Sequence, residues 1–284
     1  MSLPYAEVIG DPIAHSKSPL IHGFWLEKLG IRAEYRKTHV KPDELAAFLA
    51  ARRADPDWRG CNVTVPHKEA VIPLLDRLDP FAERIGAVNT IVARADALIG
   101  HNTDAPGFME PLLPLLPTDE RPRGALMVGA GGAARAIAFA LQEAGFNLHL
   151  LNRDPKRARL LLEELGTANL PAESSLQLAG ADVLRCRSLP AGSTFQLVVN
   201  ATTLGMTGKP PLAIRLDADP EVVVYDIVYD PLETPLLAAA RSNGNRAIDG
   251  LQMLVGQAAA AFAFFFGQPA PRAHDAALRA FLTA

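Results

Sequence analysis

A glycine-rich turn between a strand-like and a helix-like segment is the feature that most constrains the fold of this chain. The apolar run Ala125–Val128 predicts a strand, and Ala133–Ala144 predicts a helix. Between them, Gly129 and Gly131, with Ala134 in the third place, fit the fingerprint of a dinucleotide-binding turn. The first glycine permits a tight turn, the second lets a pyrophosphate approach the backbone, and the small third residue allows close helix–strand packing. An ordinary glycine turn is the alternative, but the flanking strand and helix are the context that the motif requires.

Strand-like and helix-like segments alternate along nearly the whole chain. This alternation predicts an α/β fold with mainly parallel sheets covered by helices, and the glycine-rich turn predicts a Rossmann-type unit within it. Further strands are predicted at 5–10, 34–40, 61–65, 87–94, 97–100, 147–151, 197–201 and 222–228, and further helices at 18–29, 42–53, 155–165, 234–243 and 251–266.

Four prolines separate the first α/β segments from the glycine-rich turn. Pro111, Pro114, Pro117 and Pro122 interrupt any long helix, so a surface connection is predicted here. The helix predicted at 251–266 follows the second α/β unit, and it can return to pack on the first. The middle unit would then be an insertion between two parts of the first domain.

Charge and cysteine content limit the partners and the compartment. The net charge of −3 gives no reason to expect nucleic acid or an acidic membrane as a partner. Cys61 and Cys186 are too few and too far apart for a disulfide framework or a zinc site, so a reducing cytoplasm is the simplest location. Residues 1–10 lack the pattern of a signal peptide, and the most apolar run, Ala258–Phe266, is too short to cross a bilayer. We therefore expect a cytoplasmic protein that acts on a small molecule.

The residues after the second strand of the Rossmann-type unit indicate which dinucleotide binds. NAD enzymes usually carry an acidic residue there, which binds the ribose 2′-hydroxyl. This chain instead has Asn152 and Arg153, with Lys156 and Arg157 close behind, and guanidinium groups suit a 2′-phosphate. A solvated basic helix start is the alternative, although cations are unfavourable at that end of a helix. We predict NADP, with its strictness left open because the carboxylate of Asp154 would repel a phosphate.

Polar side chains cluster where the predicted strands of the first domain end. Each has a purely structural alternative: Ser18 before Pro19 can cap a helix, Asn89 can satisfy a turn, Asp104 can cap the next helix, and Lys68 can be a surface charge. No metal site is predicted, because the histidines of this region lack metal-ligand spacing. The clustered residues are Ser16, Ser18, Asn62, Thr64, Lys68, Asn89, Asn102, Thr103 and Asp104.

Seven stretches, in this order along the chain, resemble the shikimate dehydrogenase family. The resemblance implies a substrate and catalytic domain at 1–105, completed by 250–284, and a Rossmann-type NADP-binding domain at 106–249. It implies reversible reduction of 3-dehydroshikimate to shikimate with NADPH, a step of aromatic amino-acid biosynthesis. The stretches are Gly10–Pro19, Asn62–Lys68, Gly86–Thr90, Gly100–Asp104, Gly129–Ala134, Tyr225–Tyr229 and Asp249–Gln257.

The resemblance also implies roles for individual residues. Ser16 and Ser18 would hold the substrate carboxylate, and Lys68 and Asp104 would be the catalytic pair. The residues that would bind the carboxylate or the ring hydroxyls are Thr64, Asn89, Tyr229 and Gln257. The residues that would bind the cofactor are Gly129, Ala130, Gly131, Gly132, Ala133, Asn152, Arg153, Arg157, Thr202, Ile227 and Gly250. The place of Asp154 is more often threonine in NADP-specific members.

A protonated lysine suits the acid role in carbonyl reduction, because the ketone oxygen gains negative charge and needs a proton. Oxidation should improve as pH rises, because Lys68 must first lose its proton. Three alternatives remain: a quinate/shikimate dehydrogenase using NAD or NADP, a methylenetetrahydrofolate dehydrogenase, and a shikimate-sensing regulator without activity. The paired serines count against the second, and an intact Lys68 and Asp104 against the third. Domain closure is a further hypothesis, and a monomer or a homodimer is expected.

Overall fold

Two α/β units make up the chain, and the second is inserted into the first. One unit comprises Met1–Gly107 and Val255–Ala284, and the other comprises Phe108–Leu254. The computed structural model describes residues 2–95, 97–116, 123–166, 195–212, 214 and 221–284, and only the backbone of 176–178 and 184–186. Pro117 and Pro122, and the side chain of Cys186, therefore lie outside the described residues.

The elements of the first part of the chain run from β1 to α5. They are β1 (Tyr5–Gly10), α1 (Ser18–Leu29), β2 (Glu34–His39), α2 (Leu45–Arg53), β3 (Trp58–Val63), α3 (His67–Ala70), β4 (Arg77–Leu78), α4 (Pro80–Ile85), β5 (Thr90–Arg94), β6 (Ala97–His101) and α5 (Asp104–Leu112). Short 3₁₀ turns at 42–44, 72–74 and 113–115 supplement them.

The sheet of the first unit is mixed, with strand order β2-β1-β3-β5-β6-β4. Strand β1 pairs in parallel with β2 and β3, as the alternation predicts. Strand β5 instead runs antiparallel to both β3 and β6. Only residues 95 and 96 separate β5 from β6, and so short a connection can join only antiparallel strands. The pairing is therefore mainly parallel, as predicted, and antiparallel only at β5 within this sheet.

The end of the chain completes the core of the first unit. The C-terminal part of α9 (Gly250–Phe266) places Phe262 against Trp25, with ring centroids 5.5 Å apart, and α10 (Asp275–Thr283) follows. The buried ring of His22 stacks on Tyr35 at 3.9 Å and lies among these aromatic rings. Neither ring nitrogen of His22 has a hydrogen-bond partner in the described part of the chain, and burial lowers the pKa of His22 to about 3.

The second unit contains a fully parallel five-stranded sheet, with order β13-β12-β11-β7-β8. Apolar residues of its strands, such as Met127 and Val199, form the core with the covering helices. The elements are β7 (Arg123–Val128), α6 (Gly132–Glu143), β8 (Phe146–Leu151), α7 (Pro155–Glu164), β9 (Leu176–Leu178), β10 (Leu184–Cys186), β11 (Leu197–Asn200), β12 (Val223–Asp226), α8 (Pro235–Ser242) and β13 (Arg246–Ile248). The α/β fold class and its Rossmann-type unit are confirmed.

Pro111 lies inside α5, one residue before the helix ends, so no long helix continues through the prolines. Helix α5 runs through it to Leu112 and then tightens into a 3₁₀ turn at 113–115. The residue lies in the last turn, where a missing N–H removes only one intrahelical hydrogen bond. Among the helices of the described residues, none has the length and apolar character needed to cross a membrane.

Candidate functional site

Lys68 and Asp104 form a short ion pair in the first unit. Lys68 lies on α3, directly after β3, and Asp104 is the first residue of α5, after β6. The Nζ of Lys68 is 2.5 Å from Oδ2 of Asp104, and their side chains are only 12% and 7% exposed. The carboxyl ends of β3 and β6, which lie on either side of β5, face the same edge of the sheet and bring an acid and an amine, 36 residues apart in sequence, into direct contact.

Asp104 is oriented by its neighbours and does not cap α5. Asn102 performs that role, since its Oδ1 accepts from the backbone N–H groups of Asp104 at 3.0 Å and Ala105 at 3.3 Å. The second carboxylate oxygen of Asp104 accepts from Nδ2 of Asn89 at 2.9 Å. Because the backbone N–H of Thr103 donates to Oδ1 of Asn89 at 2.7 Å, the amide of Asn89 can point only one way.

Three residues that received no role from the sequence support this arrangement. Thr90 is fully buried, and its hydroxyl lies 3.1 Å from Oδ1 of Asn89. Asn62 donates to the Thr90 hydroxyl at 3.0 Å and accepts from the hydroxyl of Tyr35 at 2.5 Å. Thr90 and Asn62 occur in the motif stretches quoted above, whereas nothing in the sequence singles out Tyr35.

Gln257 reaches the same cluster from the end of the chain. Its Oε1 lies 3.5 Å from Nδ2 of Asn89. Helix α9, which carries it, crosses α5 so closely that a Cβ on Gly107 would lie 2.4 Å from the backbone nitrogen of Gln257. A glycine at position 107 is therefore required for Gln257 to approach Asn89.

Ser16, Ser18 and Thr64 lie after two adjacent parallel strands. The backbone N–H of Thr64 donates to Ile9 of β1 at 3.0 Å, and a Cβ on Gly10 would lie 2.5 Å from the Thr64 methyl group. Ser18 is buried and does not cap α1, so its purely structural alternative fails. The helix begins at Ser18 itself with Lys17 as the preceding residue, and no side chain caps it. The Ser16 hydroxyl instead accepts from the Ser18 N–H at 3.3 Å.

Tyr229, the remaining predicted substrate residue, belongs to the second unit, where it follows β12. Burial raises the pKa of its hydroxyl, and Asp230 raises it further. A partly buried, protonated phenol in this position can donate a hydrogen bond to a ligand oxygen.

All the predicted cofactor residues follow the carboxyl ends of parallel strands in the second unit, where ligands of open α/β sheets bind. The turn between β7 and the start of α6 contains Gly129, Ala130, Gly131, Gly132 and Ala133. Strand β8 is followed by Asn152, Arg153 and Arg157. Strands β11, β12 and β13 are followed by Thr202, Ile227 and Gly250, respectively.

The glycine-rich turn has the shape that a pyrophosphate requires. Gly129 has a φ of +117°, and a Cβ there would lie 2.6 Å from the carbonyl oxygen of Ala201. A Cβ on Gly131 would meet no atom within 4 Å, so a ligand can approach the backbone here. Helix α6 has no side-chain cap, which leaves its first N–H groups available to phosphate oxygens. The residues present therefore fit a dinucleotide.

Asp154 caps α7, so one of its carboxylate oxygens is directed to the helix start. Its carboxylate accepts from the backbone N–H of Lys156 at 3.0 Å, and Asn152 donates to its carbonyl oxygen at 2.9 Å. Arg153 and Arg157 are exposed, and no carboxylate in the described part of the chain pairs with either. The carboxylate is engaged by the helix start, while both guanidinium groups remain available to an anion.

Comparisons with known proteins identify one family. A family model described as "Shikimate dehydrogenase substrate binding domain" matches residues 8–91, and one described as "Shikimate 5'-dehydrogenase C-terminal domain" matches residues 250–275. The curated "Shikimate dehydrogenase (NADP(+))" of Sphingopyxis alaskensis is 52% identical over 284 residues, which cover 99% of this chain and 97% of that protein.

Solved structures agree over the whole chain. Shikimate 5-dehydrogenase of Thermus thermophilus, in complex with NADP(H) and shikimate, is 38% identical with a TM-score of 0.79, covering 98% of this chain and 99% of that one. Shikimate 5-dehydrogenase of Listeria monocytogenes, in complex with shikimate and NAD, is 29% identical with a TM-score of 0.80, covering 99% and 96%.

Proposed function

The chain belongs to the shikimate dehydrogenase family, and we propose that Lys68 and Asp104 are its catalytic pair. It catalyses the reversible NADPH-dependent reduction of 3-dehydroshikimate to shikimate. The observation that carries the catalytic proposal is the 2.5 Å ion pair between two largely buried side chains. Burying such a pair costs free energy through desolvation, and a functional role explains why the fold accepts that cost.

In the reducing direction, NADPH held by the second unit would supply the hydride that reduces the ketone carbon of the substrate. Lys68 donates a proton from Nζ to the ketone oxygen, which becomes the new hydroxyl group, and the amine then regains a proton from solvent. Asp104 orients the amine through Oδ2 and accepts a hydrogen bond from the substrate hydroxyl in the product complex. Asn89 holds the other carboxylate oxygen of Asp104, so that the amine presents a fixed direction to the substrate.

Hydroxyl and amide groups would bind the rest of the substrate. Ser16, Ser18 and Thr64 are proposed to donate to the carboxylate, which is supported by the neighbouring ends of β1 and β3. Asn89, Gln257 and Tyr229 are proposed to bind the ring hydroxyls or the carboxylate. The first unit then acts as the substrate and catalytic domain, and the second as the NADP-binding domain.

The cofactor is NADP. We propose that Gly129 to Ala133 cradle its pyrophosphate, that Asn152, Arg153 and Arg157 bind the 2′-phosphate, and that Thr202, Ile227 and Gly250 complete the site. The fit of the glycine-rich turn and the two exposed guanidinium groups support these assignments. We further propose that the protein acts in the cytoplasm as a monomer or homodimer, without a nucleic-acid partner, consistent with its charge and cysteine content.

Use of NAD or quinate is the second candidate activity. The Listeria monocytogenes enzyme was solved with NAD, and the exposed carboxylate of Asp154 lies next to Arg153 in this chain. A carboxylate near the ribose favours NAD over NADP when it is free to bind the 2′-hydroxyl. Its engagement as the cap of α7 argues for NADP as the preferred cofactor.

Steady-state oxidation of shikimate and of quinate, each with NADP and with NAD, tests the proposal on the purified protein. Turnover confined to shikimate and NADP is the expected result. Comparable turnover with quinate or NAD would establish the second candidate, with Asp154→Thr as the first variant to examine. Tight binding of shikimate without any turnover would overturn the catalytic proposal and favour a sensing role.

A further inference from the structure

Asn200 and Asp226 form a buried polar pair at the carboxyl ends of β11 and β12. The two residues are register partners on adjacent strands, both are fully buried, and Nδ2 of Asn200 donates to Oδ1 of Asp226 at 2.9 Å. Neither residue has a role in the chemistry described above. A buried carboxylate opposes folding unless it is hydrogen-bonded, so this one requires an explanation.

The direction of the hydrogen bond between them is unambiguous. Oδ1 of Asn200 accepts from the backbone N–H of Thr202 at 3.1 Å and from its hydroxyl at 2.7 Å. Since a backbone N–H can only donate, the amide nitrogen of Asn200 faces Asp226 and the carbonyl oxygen of Leu204, the latter at 2.9 Å. Asn200 thereby closes the turn that follows β11.

Asp226 closes the next turn in the same way. Its Oδ1 also accepts from the backbone N–H of Val228 at 3.0 Å, and its Oδ2 accepts from the hydroxyl of Thr234 at 2.7 Å. Thr234 in turn caps α8. Burial raises the pKa of Asp226 to about 6, while the three donors oppose that rise. The group is therefore a carboxylate at neutral pH, satisfied entirely within the protein.

The two turns held by this pair pack against two glycines of the proposed cofactor site. A Cβ on Gly129 would lie 2.6 Å from the Ala201 carbonyl oxygen and 3.0 Å from the Thr202 methyl group. A Cβ on Gly250 would lie 2.2 Å from the carbonyl oxygen of Ile227. The pair thus fixes the positions of the Ala201 and Ile227 carbonyl groups beside these two glycines.

We propose that Asn200 and Asp226 are positioning residues for NADP, acting through the turns that carry Thr202 and Ile227 without touching the cofactor. The inference rests on the proposed function, because Thr202 and Ile227 are assigned to the cofactor site there. Cofactor binding then requires a fixed direction for the hydrogen bond: position 200 must donate and position 226 must accept.

Two isosteric substitutions with opposite expected outcomes test this polarity. Asp226→Asn keeps an oxygen for Asn200 and Val228 and places an amide nitrogen towards the Thr234 hydroxyl, which can accept. Asn200→Asp places an oxygen against two oxygens, those of Leu204 and Asp226, and a proton shared between the two buried carboxylates can serve only one of them. We expect Asp226→Asn to bind NADP as the wild type does, and Asn200→Asp to bind it at least about tenfold more weakly.

The measurement is the dissociation constant of NADP⁺, NADPH and shikimate for each purified full-length variant, by titration calorimetry. A positioning role requires that both cofactor forms weaken together while shikimate binding is unchanged. Thr207→Val is the matched control, since its hydroxyl belongs to the same unit and, within the described residues, hydrogen-bonds only the exposed Asp230 side chain, at 3.3 Å. If Asn200→Asp does not fold, Asn200→Ala, which removes the donor without adding charge, takes its place against the same control.

Equal NADP affinity in the wild type and the Asn200 variants would overturn the inference. Weaker binding of NADP⁺ or NADPH by Asp226→Asn would also overturn it, because the charge of Asp226 and not the direction of its hydrogen bonds would then matter. Binding needs no turnover, so the proposed reaction is tested separately. A wild type that binds NADP but does not oxidise shikimate would refute the proposed activity without affecting this inference.

Discussion

Side chains form the site of the first unit, whereas the backbone forms most of the site of the second. In the first unit, buried side chains hydrogen-bonded across distant parts of the chain hold the ion pair between Lys68 and Asp104. In the second unit, the backbone itself shapes the glycine-rich turn, and exposed arginines stand beside it. The first arrangement depends on a few atoms with fixed directions, whereas the second depends on the absence of side chains. A single substitution should therefore cause a large loss of activity in the first unit and a smaller loss of cofactor affinity in the second.

Lys68→Ala should give the largest effect. Loss of a positioned acid typically costs about 10²- to 10⁴-fold in rate, so kcat should fall by that order while the KM for shikimate changes little. Steady-state kinetics in both directions measure this, with the exposed Lys41→Ala as the control. A raised KM with an unchanged kcat would make Lys68 only a binding residue.

His22→Phe should remove an acid sensitivity of the first unit. Burial lowers the pKa of His22 from 6.5 to about 3, so between these values the unfolded chain binds a proton that the folded chain does not. The free energy of unfolding of the wild type should therefore fall as pH drops below 6.5, by up to about 1.4 kcal/mol per pH unit. Urea unfolding at a series of pH values should show a shallower fall in the variant. Parallel curves for both proteins would contradict the assignment.

Asp226→Asn should act in the opposite sense in the second unit. The pKa of Asp226 is raised from 3.8 to about 6, so the folded chain binds the extra proton in this window and loses stability as pH rises through it. The variant lacks this penalty, and above a pH of about 6 its free energy of unfolding should exceed that of the wild type by about 3 kcal/mol. The difference should vanish below pH 3.8. Thermal unfolding of both proteins below pH 3.8 and above about pH 6 measures the sign of this difference in stability.

Gly129→Ala should weaken cofactor binding through the backbone. The new Cβ would meet the Ala201 carbonyl oxygen at 2.6 Å in a left-handed conformation, which costs about 1–3 kcal/mol. Both NADP affinity and stability should fall. Gly131→Ala is the comparison, because its Cβ meets open space and should impair NADP binding with stability retained. Equal loss of stability in both variants would remove the distinction.

Arg157→Ala should give the smallest change. One exposed guanidinium lost from a phosphate site should raise the dissociation constant of NADP by about tenfold and leave that of NAD unchanged. The difference should shrink as salt is added, because exposed charges are screened. Titrations with both cofactors at two ionic strengths test this, and an equal loss for NAD would place Arg157 away from the 2′-phosphate.

The sequence predicts the second unit more completely than the first. Parallel strands and their helices leave a strong alternating pattern, and the carboxyl edge follows from topology alone. The antiparallel pairing of β5 and the short α3 and α4 leave no comparable signal, and β13 of the second unit is also missing from the prediction. Helix α10 was not predicted, although Leu278 and Leu282 are buried and spaced as one helical face requires.

Hydrogen-bond partners are the part of the site that sequence alone does not supply. Asn102, not Asp104, caps α5, and Ser18 opens α1 without capping it. Both depend on backbone angles at single residues that a motif does not encode. The contact between Asn200 and Asp226 depends on the register of two strands, which follows from packing of the whole sheet.

Helices α5 and α9 cross at Gly107 and Gln257, so the first unit needs residues from both ends of the chain before it can fold completely. A ribosome delivers residues 1–107, then all of 108–254, and only afterwards the segment 255–284 that carries Gln257 and Phe262. Domains generally fold as they emerge, so the inserted unit is complete while the unit around it still lacks two helices. Until the last segment arrives, the nascent first unit exposes the aromatic surface of Trp25 and Tyr35. The half of the enzyme that begins first is therefore the last to become native.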